Sequence, residues 1–167
     1  MRLPGLLRAA LAIGCSVIAW SAVSAGPCDT PAHRAFDFWL GEWQVRTRDG
    51  KLAGTNRIER EYGGCVLHER YTTERGHSGE SLNIYDASRK AWHQTWVDNS
   101  GTLLLLEGGI RDGRMVLEGR TPGADGQTVK HRITWTPNPD GSVRQFWEST
   151  DPKGQWSTTF DGLYTRK

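Results

Sequence analysis

Apolar and polar side chains alternate residue by residue along much of this chain, the spacing of a strand with one buried face. Along residues 127–136, Val129, His131, Ile133 and Trp135 share one face, and Thr128, Lys130, Arg132 and Thr134 share the other. The same alternation groups Trp92, Gln94 and Trp96 on one strand and Val143, Gln145 and Trp147 on another. It also groups Leu67, Glu69 and Tyr71, and on the last strand Trp156, Phe160, Tyr164 and Arg166. Gly- and Asp-rich turns such as Asp49-Gly50, Gly63-Gly64, Asp112-Gly113 and Asp140-Gly141 break the chain between these runs. Ten strands are predicted, over 42–48, 52–61, 65–74, 80–86, 91–98, 102–108, 114–120, 127–136, 142–150 and 155–166. Ahead of them lies one helical turn over 31–40, with Thr30 as N-cap and Pro31 at the first helical position. Leu103-Leu104-Leu105-Leu106 interrupts the alternation, so one pair must face in and the other out. The outer pair then needs a cover, either the Phe36/Phe38/Trp39 turn or a second subunit.

Connections this short leave no long crossover, so the strands read as a meander. A meander with no helix to cover a face is best satisfied by closing on itself, which removes both edges. The expected fold is all-β: a roughly ten-stranded antiparallel up-and-down barrel with a short N-terminal helical turn. At its head stands Phe36-Asp37-Phe38-Trp39-Leu40-Gly41-Glu42-Trp43. Gly41-x-Trp43 resembles the entry of lipocalin-like (calycin) barrels, in which the tryptophan closes one end and a basic side chain of the last strand lies over it. That resemblance assigns Gly41, Trp43 and Arg166 to barrel closure, with a cation–π contact between the last two. The alternative is an ordinary core Trp43 and a solvated Arg166.

Four more runs extend the likeness: Gly63-Gly64-Cys65-Val66-Leu67-His68-Glu69, Trp92-His93-Gln94-Thr95-Trp96-Val97-Asp98-Asn99, Ile133-Thr134-Trp135-Thr136 and Phe160-Asp161-Gly162-Leu163-Tyr164. Together with the first run they resemble a family of exported bacterial proteins, a domain of unknown function with a lipocalin-like barrel. The resemblance spans nearly all of residues 26–167. It implies the barrel, export and a Cys28–Cys65 pairing. It carries no assigned activity, so it transfers no catalytic residue.

The N-terminus points to export independently. Arg2 and Arg8 give a positive n-region ahead of an apolar stretch over 9–20, and Val23-Ser24-Ala25 offers small residues for cleavage, the pattern of a signal peptide over 1–25. One barrel domain over 26–167 remains, in the periplasm or secreted. The apolar stretch is too short for a transmembrane segment. A lipoprotein signal ending at Cys15 is disfavoured, because Ala12-Ile13-Gly14-Cys15 lacks the usual leucine. The whole chain has 21 Lys+Arg against 19 Asp+Glu, but Arg2 and Arg8 belong to the leader, which leaves 19 against 19. With no basic cluster elsewhere, as Arg57-Ile58-Glu59-Arg60-Glu61 illustrates, no nucleic-acid partner is expected. Cys28 and Cys65 both survive cleavage, and a cysteine pair in an oxidising compartment reads as a disulfide, with two buried thiols as the alternative. Zinc lacks the further ligands it needs.

The inward faces combine Trp92, Trp96, Trp135 and Trp147 with Gln94, Gln145, His131 and Glu69. A core meant only for packing favours aliphatic residues, since a buried polar group without a partner costs about 1–3 kcal/mol. Aromatic walls with a few polar groups describe a small-molecule cavity. In a filled barrel, by contrast, Gln94 and Gln145 would serve as acceptors for buried indoles. The chain has no Gly-x-Ser-x-Gly elbow, His-Glu-x-x-His, P-loop or dinucleotide fingerprint. Cys-x-x-Cys-His is missing and no histidine follows His131, so neither haem nor any other cofactor or metal is expected. His131 and Glu69 form the one inward acid/base pair the alternation allows. The function expected is a binding barrel, monomeric or homodimeric, for a small apolar or aromatic ligand held by Trp92, Gln94, Trp96, His131, Trp135, Gln145 and Trp147. An isomerase- or hydrolase-type enzyme using His131 and Glu69, or a structural module with a filled barrel, are the alternatives.

Overall fold

The computed structural model describes residues 26–123 and 126–167. The expected leader over 1–25, with Cys15, lies outside the described residues. Among the described residues, ten antiparallel strands close into a barrel in the order β1-β10-β9-β8-β7-β6-β5-β4-β3-β2, each bonded to its sequence neighbour. They are β1 Gly41–Thr47, β2 Leu52–Glu61, β3 Val66–Thr72, β4 Ser78–Asp86, β5 Ala91–Asp98, β6 Leu103–Arg111, β7 Arg114–Pro122, β8 Thr128–Pro137, β9 Val143–Thr150 and β10 Trp156–Arg166. The helical turn resolves into a short helix α1, Pro31–Arg34, capped by Thr30, followed by a 3₁₀ turn over Asp37–Trp39. No helix among the described residues is long and apolar enough to cross a membrane.

The two ends of the barrel differ. At the end where β1 begins, the N-terminal turn is pushed inside. Phe36 stacks on Trp39 with ring centroids 4.9 Å apart and meets Trp92 and Trp135 edge-on at 5.6 and 5.2 Å. All four rings are buried, so this end is filled with aromatic surface. Trp43 Nε1 of β1 donates to Trp39 O at 2.9 Å, and further ties hold the plug. Trp92 Nε1 donates to Ala32 O at 3.1 Å, Arg60 pairs with Asp37, and a Cys28–Cys65 disulfide anchors the segment. Cys65 sits in the turn just ahead of β3 rather than on the strand.

Closure follows the Gly41-x-Trp43 pattern. Arg166 pairs with Trp43 in register, and its guanidinium carbon lies 4.3 Å from the indole centroid. Gly41 is required here twice over. Its φ is +134°, which L side chains rarely adopt, and a Cβ would stand 2.0 Å from Arg166 Nη1.

One of the two covers considered for the leucine run falls away, and the inward placing of Trp156 needs correcting. Leu104 and Leu106 face in and Leu103 and Leu105 face out, but the aromatic turn does not cover the outer pair, because its own rings are needed inside the barrel. Leu103 and Leu105 are 56% and 47% exposed on the outer surface, where Leu103 pairs with Val97 and Leu105 lies across Thr95 from Leu82. Trp156 does not share the inward face of Phe160 and Tyr164. A bulge between Thr158 and Phe160 adds one residue to β10 and reverses the alternation upstream of it. Trp156 therefore points outward, where Arg132 of β8 stacks over its ring at 4.6 Å.

Candidate functional site

At the end opposite the plug the barrel is not filled. A cavity of about 270 Å³ opens there, between the strands and the β3–β4 connection that carries Thr73 and His77. Trp96, Trp147, Phe160 and Tyr71 form its aromatic walls, Leu104 and Ile133 its aliphatic side, and Glu69, Gln94, Gln145 and Tyr164 its polar floor.

The indoles are fixed from outside the cavity. Trp96 Nε1 donates to Asp98 Oδ2 at 3.1 Å, and Trp147 Nε1 donates to His131 Nδ1 at 3.2 Å. Burial pushes the Asp98 carboxyl up, but hydrogen bonds from Ser100, Thr102 and Trp96 outweigh it and hold the group below the usual carboxylate range. His131 accepts from Trp147 through Nδ1, so its Nε2 carries the proton toward Thr121 Oγ1 at 2.8 Å. Partial burial lowers the His131 pKa and favours this neutral ring. With both N–H groups satisfied elsewhere, Trp96 and Trp147 offer the cavity ring surface rather than polar edges. Room for Trp96 comes from Gly79 on the neighbouring strand, where a Cβ would meet the indole at 2.3 Å.

The floor is one connected polar network. Asn56 Nδ2 donates to Glu69 Oε1 at 2.7 Å, and Ser81 Oγ donates to Glu69 Oε2 at 2.6 Å. Asn83 Nδ2 donates to Ser81 Oγ at 2.8 Å and to Leu67 O at 3.1 Å. Gln94 Nε2 donates to Asn83 Oδ1 at 2.8 Å and to Ser81 Oγ at 3.3 Å. On the other side Asn56 Nδ2 reaches Tyr164 Oη at 3.4 Å, and the tyrosine hydroxyl donates to Gln145 Oε1. Burial raises the Glu69 pKa to about 7, against the lowering pull of the Ser81 and Asn56 hydrogen bonds. Gln94 and Gln145 therefore serve the network rather than the indoles.

The expected ligand-binding residues separate by position. Gln94, Trp96, Gln145 and Trp147 line the cavity together with Glu69. Trp92 and Trp135 belong to the aromatic plug at the closed end. His131 stands behind Trp147 and shares no hydrogen bond with Glu69, so the two do not form an acid/base pair. Ser81 donates to Glu69 but is not on the cavity lining. Glu69 itself can hold or release a proton near neutrality.

Alternation alone misses Ser81 and Asn83. On β4 it is inverted: Ser81 and Asn83 are buried, while Leu82 and Ile84 are exposed on the outer face. The signal lies in the neighbours. Ser81 pairs in register with Glu69 on β3, and Asn83 with Gln94 on β5, so the polar inner stripe of those strands continues across β4. Asn56 is its extension on β2. Among the described residues no group of three or more His, Cys, Asp or Glu side chains is placed to hold a metal ion.

No protein-family model matches the chain, and no curated protein sequence matches it.

Proposed function

We propose that this chain is an exported binding barrel of the lipocalin-like bacterial family its motifs resemble, and that its open end holds a small, mostly aromatic or apolar ligand. The observation that carries this reading is the unfilled cavity between Trp96 and Trp147. Their N–H groups are tied off outside it, so that flat apolar faces meet an empty volume. A barrel serving only as a scaffold gains nothing from that arrangement, because unfilled apolar volume forfeits packing. The polar floor would orient the ligand, and the plug would keep the other end shut. A leader over 1–25, if cleaved, places the barrel in the periplasm or the medium.

Titration with a panel of small aromatic and lipophilic compounds, followed by tryptophan fluorescence, tests the reading. A ligand between two indoles should quench or shift the emission saturably. Thr159→Phe, at the exposed bulge on the cavity mouth, should block access and abolish the response without touching the core. No saturable change with any compound, or one that survives Thr159→Phe undiminished, would count against the cavity as the site. Native mass spectrometry of protein purified from its own source gives the natural occupant directly.

A further inference from the structure

Apart from Gln145, the polar floor has spent its donors and kept its acceptors. Asn56 Nδ2, Asn83 Nδ2 and Gln94 Nε2 each donate twice within the protein. The hydroxyls of Ser81 and Tyr164 are committed to Glu69 and Gln145. Of the network's side chains, Gln145 alone keeps amide hydrogens to give, since it takes part through Oε1. A carboxylate accepts at about four lone-pair sites, and Glu69 receives only Asn56 and Ser81. A molecule that binds against this floor is therefore asked for hydrogen-bond donors.

Charge points the same way. Glu69 is 4% exposed and belongs to none of the ion pairs its strand and the neighbouring strands make; those lie on the outer face, among Glu59, Glu61, His68, Arg70 and Glu80. Among the described residues, no lysine or arginine lines the cavity. The titratable groups that act electrostatically on Glu69 are Tyr71 and His68 on its own strand and Tyr164 from β10, and His77 shares the cavity lining with it. Burial pushes both tyrosines up, so they stay neutral, and β2 and β4 present only Asn56, Ser81 and Asn83. The cavity thus joins one buried acid without a counter-ion to several aromatic faces, and such faces attract cations.

We propose that the cavity takes a small cationic amine with a compact aromatic or apolar body, its ammonium group donating to Glu69 and its body lying between Trp96, Trp147 and Phe160. This rests on the reading of the barrel as a binding pocket and names the ligand class for it. A bound ammonium would bring a further donor and a positive charge to Glu69, which receives only Asn56 and Ser81.

Calorimetric titration of the wild-type protein with phenethylamine, phenethyl alcohol and phenylpropionate tests it. The buffer is held at about pH 8, where a carboxyl raised to about 7 is ionised. The three probes share one ring and differ in the head group. The amine should bind at least about tenfold more tightly than the alcohol, the scale of one charge-assisted hydrogen bond, and the carboxylate should bind weakest. Glu69→Gln, with its melting transition checked, should erase the preference for the amine while the alcohol still binds. Equal or tighter binding of the alcohol or the carboxylate by the wild type would overturn the amine proposal and leave the binding pocket standing. Saturation by none of the three would overturn both.

Discussion

Glu69 sets the pH behaviour of the empty barrel. Its folded pKa, raised to about 7 by burial, stands above the ordinary value of 4.5. Between those two pH values the folded protein keeps a proton that the unfolded chain has released, so stability falls as pH rises. The contribution is fully present below about pH 4.5 and lost above about pH 7, a change of about 3 kcal/mol at 1.36 kcal/mol per unit. Glu69→Gln should remove this slope. Urea unfolding of both proteins at about pH 5 and pH 7.5 checks it; a stability difference between them that is the same at both pH values would show that Glu69 does not titrate in this window. At the closed end, Gly41→Ala should destabilise by about 1–3 kcal/mol, because it adds a strained φ to a clash with Arg166. Adding Arg166→Ala removes the clash, so the double variant should cost less than the two single losses combined. Strict additivity in denaturant unfolding would mean the glycine is needed for its backbone alone.

Among the elements, the N-terminal segment is the one held by the most varied means: a ring cluster, an ion pair, an indole hydrogen bond and a disulfide. The Cys28–Cys65 bond closes a loop over a separation of 37 residues, for which chain entropy predicts about 4 kcal/mol. Reduction should lower the unfolding free energy by roughly that amount, while a loss below about 1 kcal/mol would mean the plug stays docked without it. Strand boundaries were legible in the sequence to within a few residues, because Gly-Asp turns and period-two runs coincide at most breaks. Two elements were not. On β10 the extra residue at Thr159 leaves no compositional mark, yet it turns Trp156 outward. On β4 the polar side chains face in and the apolar ones face out, since Ser81 and Asn83 bond to Glu69 and Gln94 across the sheet. A strand read by itself carries no record of such partners. The inward direction of Glu69, Gln94, Gln145, Trp92, Trp96, Trp135 and Trp147 did follow from alternation, while that of Trp156 did not. Their division between plug and cavity did not, because it depends on how far along the barrel each lies.

Taken whole, the molecule is a barrel stoppered at one end and open at the other. Trp39, Trp92 and Trp135 pack with Phe36 in the stopper, while Trp96 and Trp147 are spaced around empty volume. The central claim is that this volume receives a ligand. Methyl NMR tests it most directly, since Leu104 and Ile133 line the cavity, while Leu67 and Leu117 are buried outside its lining. On titration with phenethylamine, and separately with phenethyl alcohol, the aromatic ring of a bound probe should shift the Leu104 and Ile133 methyl resonances saturably. The Leu67 and Leu117 methyls should stay where they are. Saturable shifts confined to Leu104 and Ile133 are the result expected; no saturable shift at either residue with either probe, or shifts spread equally to Leu67 and Leu117, would contradict the account.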